Sequence, residues 1–117
     1  MKIIRALLLV YILFLPLVVN TGSVVILDST RINGNGYVEI DGHFRNDTAY
    51  VLGTVVIMAN LLDKNGNVLA EQRLDFIYTG VPDINPGAVM KFIFYISINN
   101  PSNVASYEVW IKDWFMY

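Results

Sequence analysis

The chain has 117 residues, 55% apolar, 13% aromatic and 15% charged, with eight Lys/Arg against ten Asp/Glu. That length holds one domain, and so apolar a chain is not a disordered one. The absence of cysteine excludes a disulfide framework, a thiol nucleophile and a thiolate metal site, and a lone histidine excludes an imidazole cluster.

Lys2 and Arg5 stand ahead of an apolar run from Ala6 to Val19, with Pro16 near its end. As a helix that run spans about 21 Å, short of the roughly 30 Å of a bilayer core. A basic start, a short apolar stretch and a helix breaker predict a secretory signal peptide. No Ala-x-Ala cleavage triplet is present, so residues 1–21 are read as a signal peptide or an uncleaved signal anchor. Residues 22–117 are then the working domain, extracellular or at the cell envelope. Contact with a membrane is expected only through the N-terminal segment, where it is uncleaved. An exported domain without cysteine fits a prokaryotic source.

From residue 23 onward the apolar period is two, the mark of strands. Six segments carry it: Ser23–Ser29, Gly36–Arg45, Val51–Leu62, Val68–Tyr78, Val89–Ile98 and Ser106–Trp114. Turn chemistry separates them at Asn33-Gly34-Asn35-Gly36, Arg45-Asn46-Asp47-Thr48, Asp63-Lys64-Asn65-Gly66-Asn67, Asn85-Pro86-Gly87 and Asn99-Asn100-Pro101-Ser102-Asn103. The predicted fold is an all-β, antiparallel, immunoglobulin-like β-sandwich of six or seven strands. Alternation puts Val38, Ile40, Gly42 and Phe44 on the core face of the second strand and Tyr37, Glu39, Asp41, His43 and Arg45 outside. Met90, Phe92, Phe94, Ile96 and Ile98 face the core from the fifth strand, and Tyr107, Val109 and Ile111 from the last.

Several motifs resolve into ordinary structure. Beyond residue 20 six basic side chains meet ten acidic ones, a formal −4, with no basic stripe to engage phosphates; nucleic acid is not expected. Asp63–Asn67 lacks the spacing and closing acid of a calcium loop and reads as a hairpin turn. His43 beside Glu39 and Asp41 has no serine on a strained elbow to activate, so no catalytic residue, cofactor or metal is assigned. Asn46-Asp47-Thr48 matches the glycosylation sequon, making Asn46 a candidate acceptor.

The sharper signal is a second apolar face. Val56 and Met58 alternate outward on the third strand, Ile93 and Tyr95 on the fifth, and Trp110 and Trp114 on the last. If those strands are neighbours in one sheet, the six side chains form an exposed patch, which soluble monomers seldom leave unused. The expected function is binding of a protein partner or self-assembly through that face. Strand addition could accompany it, with Val24, Val25, Ile26 and Leu27 as donor. The alternative is a carbohydrate-binding module with Trp110 and Tyr95 as a stacking platform.

Gly42-His43-Phe44-Arg45-Asn46, Leu61-Leu62-Asp63-Lys64-Asn65-Gly66, Asn85-Pro86-Gly87 followed by Phe92, and Ala105-Ser106-Tyr107-Glu108-Val109 together resemble the FxLYD family. Ala59-Asn60-Leu61-Leu62-Asp63 keeps the Leu and Asp of the naming motif. The resemblance spans roughly residues 23 to 113. It implies a secreted or envelope immunoglobulin-like domain without established activity, and it supplies no catalytic residues.

Overall fold

A computed structural model describes residues 22–77 and 83–117. The signal segment at residues 1–21 and Tyr78 of the expected fourth strand lie outside the described residues. The elements are β1 (Val24–Asn33), β2 (Tyr37–Asn46), β3 (Leu52–Leu62), β4 (Val68–Ile77), β5 (Val89–Ser97), a 3-10 turn at Pro101–Asn103, and β6 (Ser106–Met116). Each expected strand is present. β1 and β6 run further than their apolar alternation suggests, because cross-strand pairing continues through Asn33 and Met116.

The strands form two antiparallel sheets of three, ordered β1-β2-β5 and β4-β3-β6. The sheets face one another, with β1 against β6 and β4 against β5. Between them lies one core, in which Val38, Ile40, Phe44, Val55, Ile57, Leu61, Phe92, Phe94 and Ile96 are all buried. Their period-two spacing is the pleat itself: every second side chain of a strand points to the same side. Gly42 belongs to that inner face for a steric reason. A Cβ there would collide with the Phe92 ring and the Asp28 carbonyl, so the glycine lets an aromatic ring lie over the backbone.

The central strands β2 and β3 lie between two neighbours each, whereas β1, β5, β4 and β6 are edges. Three of those edges carry one extra residue against their partner. It is Leu27 in β1, Leu69 in β4 and Lys112 in β6. A bulge of this kind reverses the alternation beyond it. After Leu27, Ser29 and Arg31 turn inward and Ile32 turns outward, paired beside Glu39. After Lys112, Trp114 turns inward and packs against the core.

One end of the sandwich is closed by a buried polar cluster at Asn46, whose side chain is 0% exposed. Its amide nitrogen donates to the carbonyls of Tyr50 (2.8 Å) and Ile84 (2.9 Å). Its oxygen accepts from the Thr48 backbone N–H at 2.9 Å and the Thr48 hydroxyl at 2.6 Å. Both amide hydrogens are spent and no solvent reaches them. A glycan on that nitrogen has no room in this fold, and the sequon at Asn46 is here a structural plug.

Candidate partner-binding face

The six residues expected to form one patch are divided among three surfaces. β5 pairs with β2 rather than with β3 or β6, so Ile93 and Tyr95 belong to the outer face of β1-β2-β5. Val56, Met58 and Trp110 lie on the outer face of the other sheet, with Trp110 directly opposite Met58. Trp114 is on neither, having been turned inward by the Lys112 bulge. The physical reason is non-local: alternation assigns side chains to faces, but only pairing assigns strands to sheets.

The outer face of β4-β3-β6 offers little apolar surface. Val56 is 1% exposed and Met58 7%. Their cross-strand neighbours are Asp75 and Asp113 beside Val56, and Arg73 and Trp110 beside Met58. Arg73 Nε donates to Asp75 Oδ1 at 2.7 Å along β4. Charged residues thus flank a short apolar stripe that is already buried. Trp110 and Tyr95 project from opposite sides of the molecule, so together they make no stacking platform for a sugar chain. Val24, Val25, Ile26 and Leu27 are not free to be donated either. The first three pair with Asn46, Arg45 and Phe44 of their own chain, Leu27 is the bulge, and Val24 is buried in the core.

The outer face of β1-β2-β5 is different. Reading across the strands, its rows are Asp28–His43–Lys91, Thr30–Asp41–Ile93, Ile32–Glu39–Tyr95 and then Tyr37–Ser97. Ile32 is 55% exposed and Tyr95 58%. The Tyr37 and Tyr95 rings meet edge to face with centroids 6.1 Å apart, a favourable arrangement of ring quadrupoles. Gly34 in the β1–β2 turn positions Tyr37: a Cβ on Gly34 would overlap the Tyr37 ring, and the Gly34 N–H donates to the Tyr37 carbonyl at 2.8 Å. The result is an aromatic and aliphatic cluster held by a tight turn at one end and by the β2–β5 ladder along its length.

Acidic groups run through this face. Glu39 and Asp41 alternate on β2 and so point the same way. The hydrogen bond that the protonated Glu39 carboxyl donates to the Asp41 side chain, then burial, then the Asp41 charge raise that carboxyl above its ordinary range, with Lys91 pulling it back. The negative charge of Glu39 in turn heads the causes that raise the Tyr95 phenol. His43 Nδ1 lies 2.9 Å from Asp28 Oδ1 on an exposed part of the same face. At the opposite hairpin the Asp63 carboxylate accepts the backbone N–H groups of Asn65 (2.8 Å) and Asn67 (2.9 Å), bonds that hold it below its ordinary range. That carboxylate organises the turn.

Sequence alternation already turned Tyr37, Glu39, Asp41, Ile93 and Tyr95 outward; their meeting on one face followed only from the β2–β5 pairing. Ile32 was missed altogether, because the bulge that exposes it has no signature in the residues around Leu27. No protein-family model matches the chain, and no curated protein matches it. Among solved structures, the crystal structure of Campylobacter jejuni cj0090 is similar over 72% of this chain and 80% of that one, at 21% identity and a TM-score of 0.45.

Proposed function

We propose that the chain is an exported β-sandwich module of the cell envelope or extracellular space that binds a protein partner through the outer face of β1-β2-β5. The carrying observation is the cluster of Ile32, Tyr37, Ile93 and Tyr95 on that face, more than half exposed at Ile32 and Tyr95. Aromatic anchors on a rigid sheet, ringed by charge, are the composition of a partner-binding hot spot. Glu39 and Asp41 at its centre select a partner whose contacting surface is basic or rich in hydrogen-bond donors. The basic start and apolar run of residues 1–21 support export, and the resemblance to the FxLYD family supports an envelope location. An immunoglobulin-like topology is part of the same proposal. It is supported by the way the chain crosses from one sheet to the other between β2 and β3, between β4 and β5, and again between β5 and β6.

The test is a photo-reactive residue placed at Tyr95 and, in a second variant, at Trp110, followed by crosslinking in the producing cell. A discrete protein adduct from position 95, lost when Ile32→Asp is added, supports the reading. Adducts from position 110 alone, or from neither, overturn it.

A further inference from the structure

The β5 edge has a property that the other three edges lack. β1, β4 and β6 are each interrupted by an extra residue, whereas β5 pairs with β2 without a register shift from Val89 to Ser97. The bonds that flank this ladder give its phase: Ile98 N–H donates to the Gly36 carbonyl, and Asn46 N–H to the Ala88 carbonyl. Because hydrogen-bonded pairs alternate along an antiparallel ladder, Met90, Phe92, Phe94 and Ile96 direct their backbone groups at β2. Val89, Lys91, Ile93, Tyr95 and Ser97 direct theirs at the open edge. Among the described residues none accepts or donates a backbone hydrogen bond there. A straight, regular edge strand of this kind, with apolar residues on both faces, is a template for pairing.

We infer that β5 pairs antiparallel with β5 of a second copy of this chain, about a two-fold axis at Ile93. The occupant follows from the self-complementarity of the strand. With Ile93 opposite Ile93, Lys91 falls opposite Tyr95 and Val89 opposite Ser97, so every edge-facing residue meets another edge-facing residue. The ladder closes with roughly ten backbone hydrogen bonds. No like charges come face to face. Each Lys91 is carried toward the row of Glu39, the acid beside Tyr95 on the other copy. On the inner side Phe92 falls opposite Phe94 and Met90 opposite Ile96, which joins the two cores. The product is a continuous six-stranded sheet, and the outer faces carrying Tyr95 and Ile32 merge into one surface on the same side of it. This contact uses the strand edge, so it stands or falls separately from the partner-binding face.

The experiment uses the protein as its host accumulates it, with light scattering after size exclusion across a wide concentration range and residue-resolved amide exchange. A dimer is expected whose Lys91, Ile93 and Tyr95 amides gain protection as concentration rises, while the Phe92 and Phe94 amides are protected throughout. Ile93→Pro removes an edge-facing N–H without touching the β2 ladder, and proline is tolerated at such positions; it is expected to yield a folded monomer. Ile93→Lys keeps the N–H but sets two ammonium groups across the axis, and is expected to weaken the dimer about fivefold. It keeps the question answerable should the proline variant not fold. Ile32→Asp, two strands from the edge, leaves the dimer intact while damaging the partner-binding face. A monomer at every concentration, or a dimer that tolerates Ile93→Lys and leaves those three amides unprotected, overturns the inference.

Discussion

Asn46 joins the end of β2 to the β2–β3 loop and to the Ile84 segment through four side-chain hydrogen bonds, in a place no water reaches. Asn46→Ala leaves the Tyr50 and Ile84 carbonyls without this donor and the Thr48 N–H without its acceptor. The Ile84 carbonyl keeps the Leu52 N–H and the Tyr50 carbonyl the Thr48 hydroxyl, so the Thr48 N–H is the buried group left unsatisfied and a loss of roughly 2 kcal/mol is expected. By thermal unfolding that is a fall of roughly 10 °C for a domain this size. Asn46→Asp restores the acceptor but not the donor, and is expected to recover little. Glu39 behaves in the opposite sense. Its folded carboxyl titrates above its ordinary 4.5, so between the two values the native state holds more protons than the unfolded one. Stability therefore falls as pH rises through that window, and the deficit is complete above it. Glu39→Gln removes the deficit. Its thermal midpoint is expected to exceed that of the parent at about pH 7 and to match it at about pH 3.5, below both values.

At the scale of the element, single inserted residues decide which side chains are functional. Leu27 moves Ile32 onto the outer face, and Lys112 moves Trp114 into the core. Neither is marked by glycine or proline, so nothing in the local sequence separates the bulge from a regular strand. Deleting Lys112 restores simple alternation in β6. Ile111, Asp113 and Trp114 then stand opposite Ile57, Val56 and Val55 with no extra residue between them, so Trp114 is expected to stay packed against the core, with blue-shifted emission that resists quenching. A red-shifted, easily quenched tryptophan signal, measured in a Trp110→Phe background, would show instead that the strand slips by one position. The bulges also act on edges. They break the regularity of β1, β4 and β6 and leave β5 as the strand fit for pairing.

Across the whole molecule, the two sheets are joined differently along their two sides. Where β1 meets β6, the Ser29 and Tyr107 hydroxyls are 2.8 Å apart, and Arg31 Nη2 donates to the Val104 carbonyl at 2.8 Å. Ser29 and Arg31 can reach across only because the Leu27 bulge turns them inward. On the other side Phe44 of β2 meets Phe76 of β4 edge to face at 5.1 Å. Tyr107→Phe and Ser29→Ala are each expected to cost about 1 kcal/mol, the value of a partly buried neutral hydrogen bond. The double variant should cost less than the sum, since both remove the same bond. Chemical denaturation at constant slope measures this directly.

Some of this architecture is local and so is written in the chain. The pleat makes side-chain direction a property of adjacent residues, which is why the strands, the turns at Gly34 and Gly66, and the inner faces of β2, β3 and β5 are legible from alternation and turn chemistry alone. Most of the face is legible in the same way, as Tyr37, Glu39, Asp41, Ile93 and Tyr95 all turn outward by period two. Tertiary structure decided the rest. Whether β5 lies beside β3 or beside β2 depends on contacts between segments dozens of residues apart, and alternation is blind to it. The burial of Asn46 depends on Ile84 reaching across to bridge Leu52. The exchange of Ile32 and Trp114 between outside and inside rests on one residue inserted in each edge strand, where a shift of one position reverses every side chain beyond it.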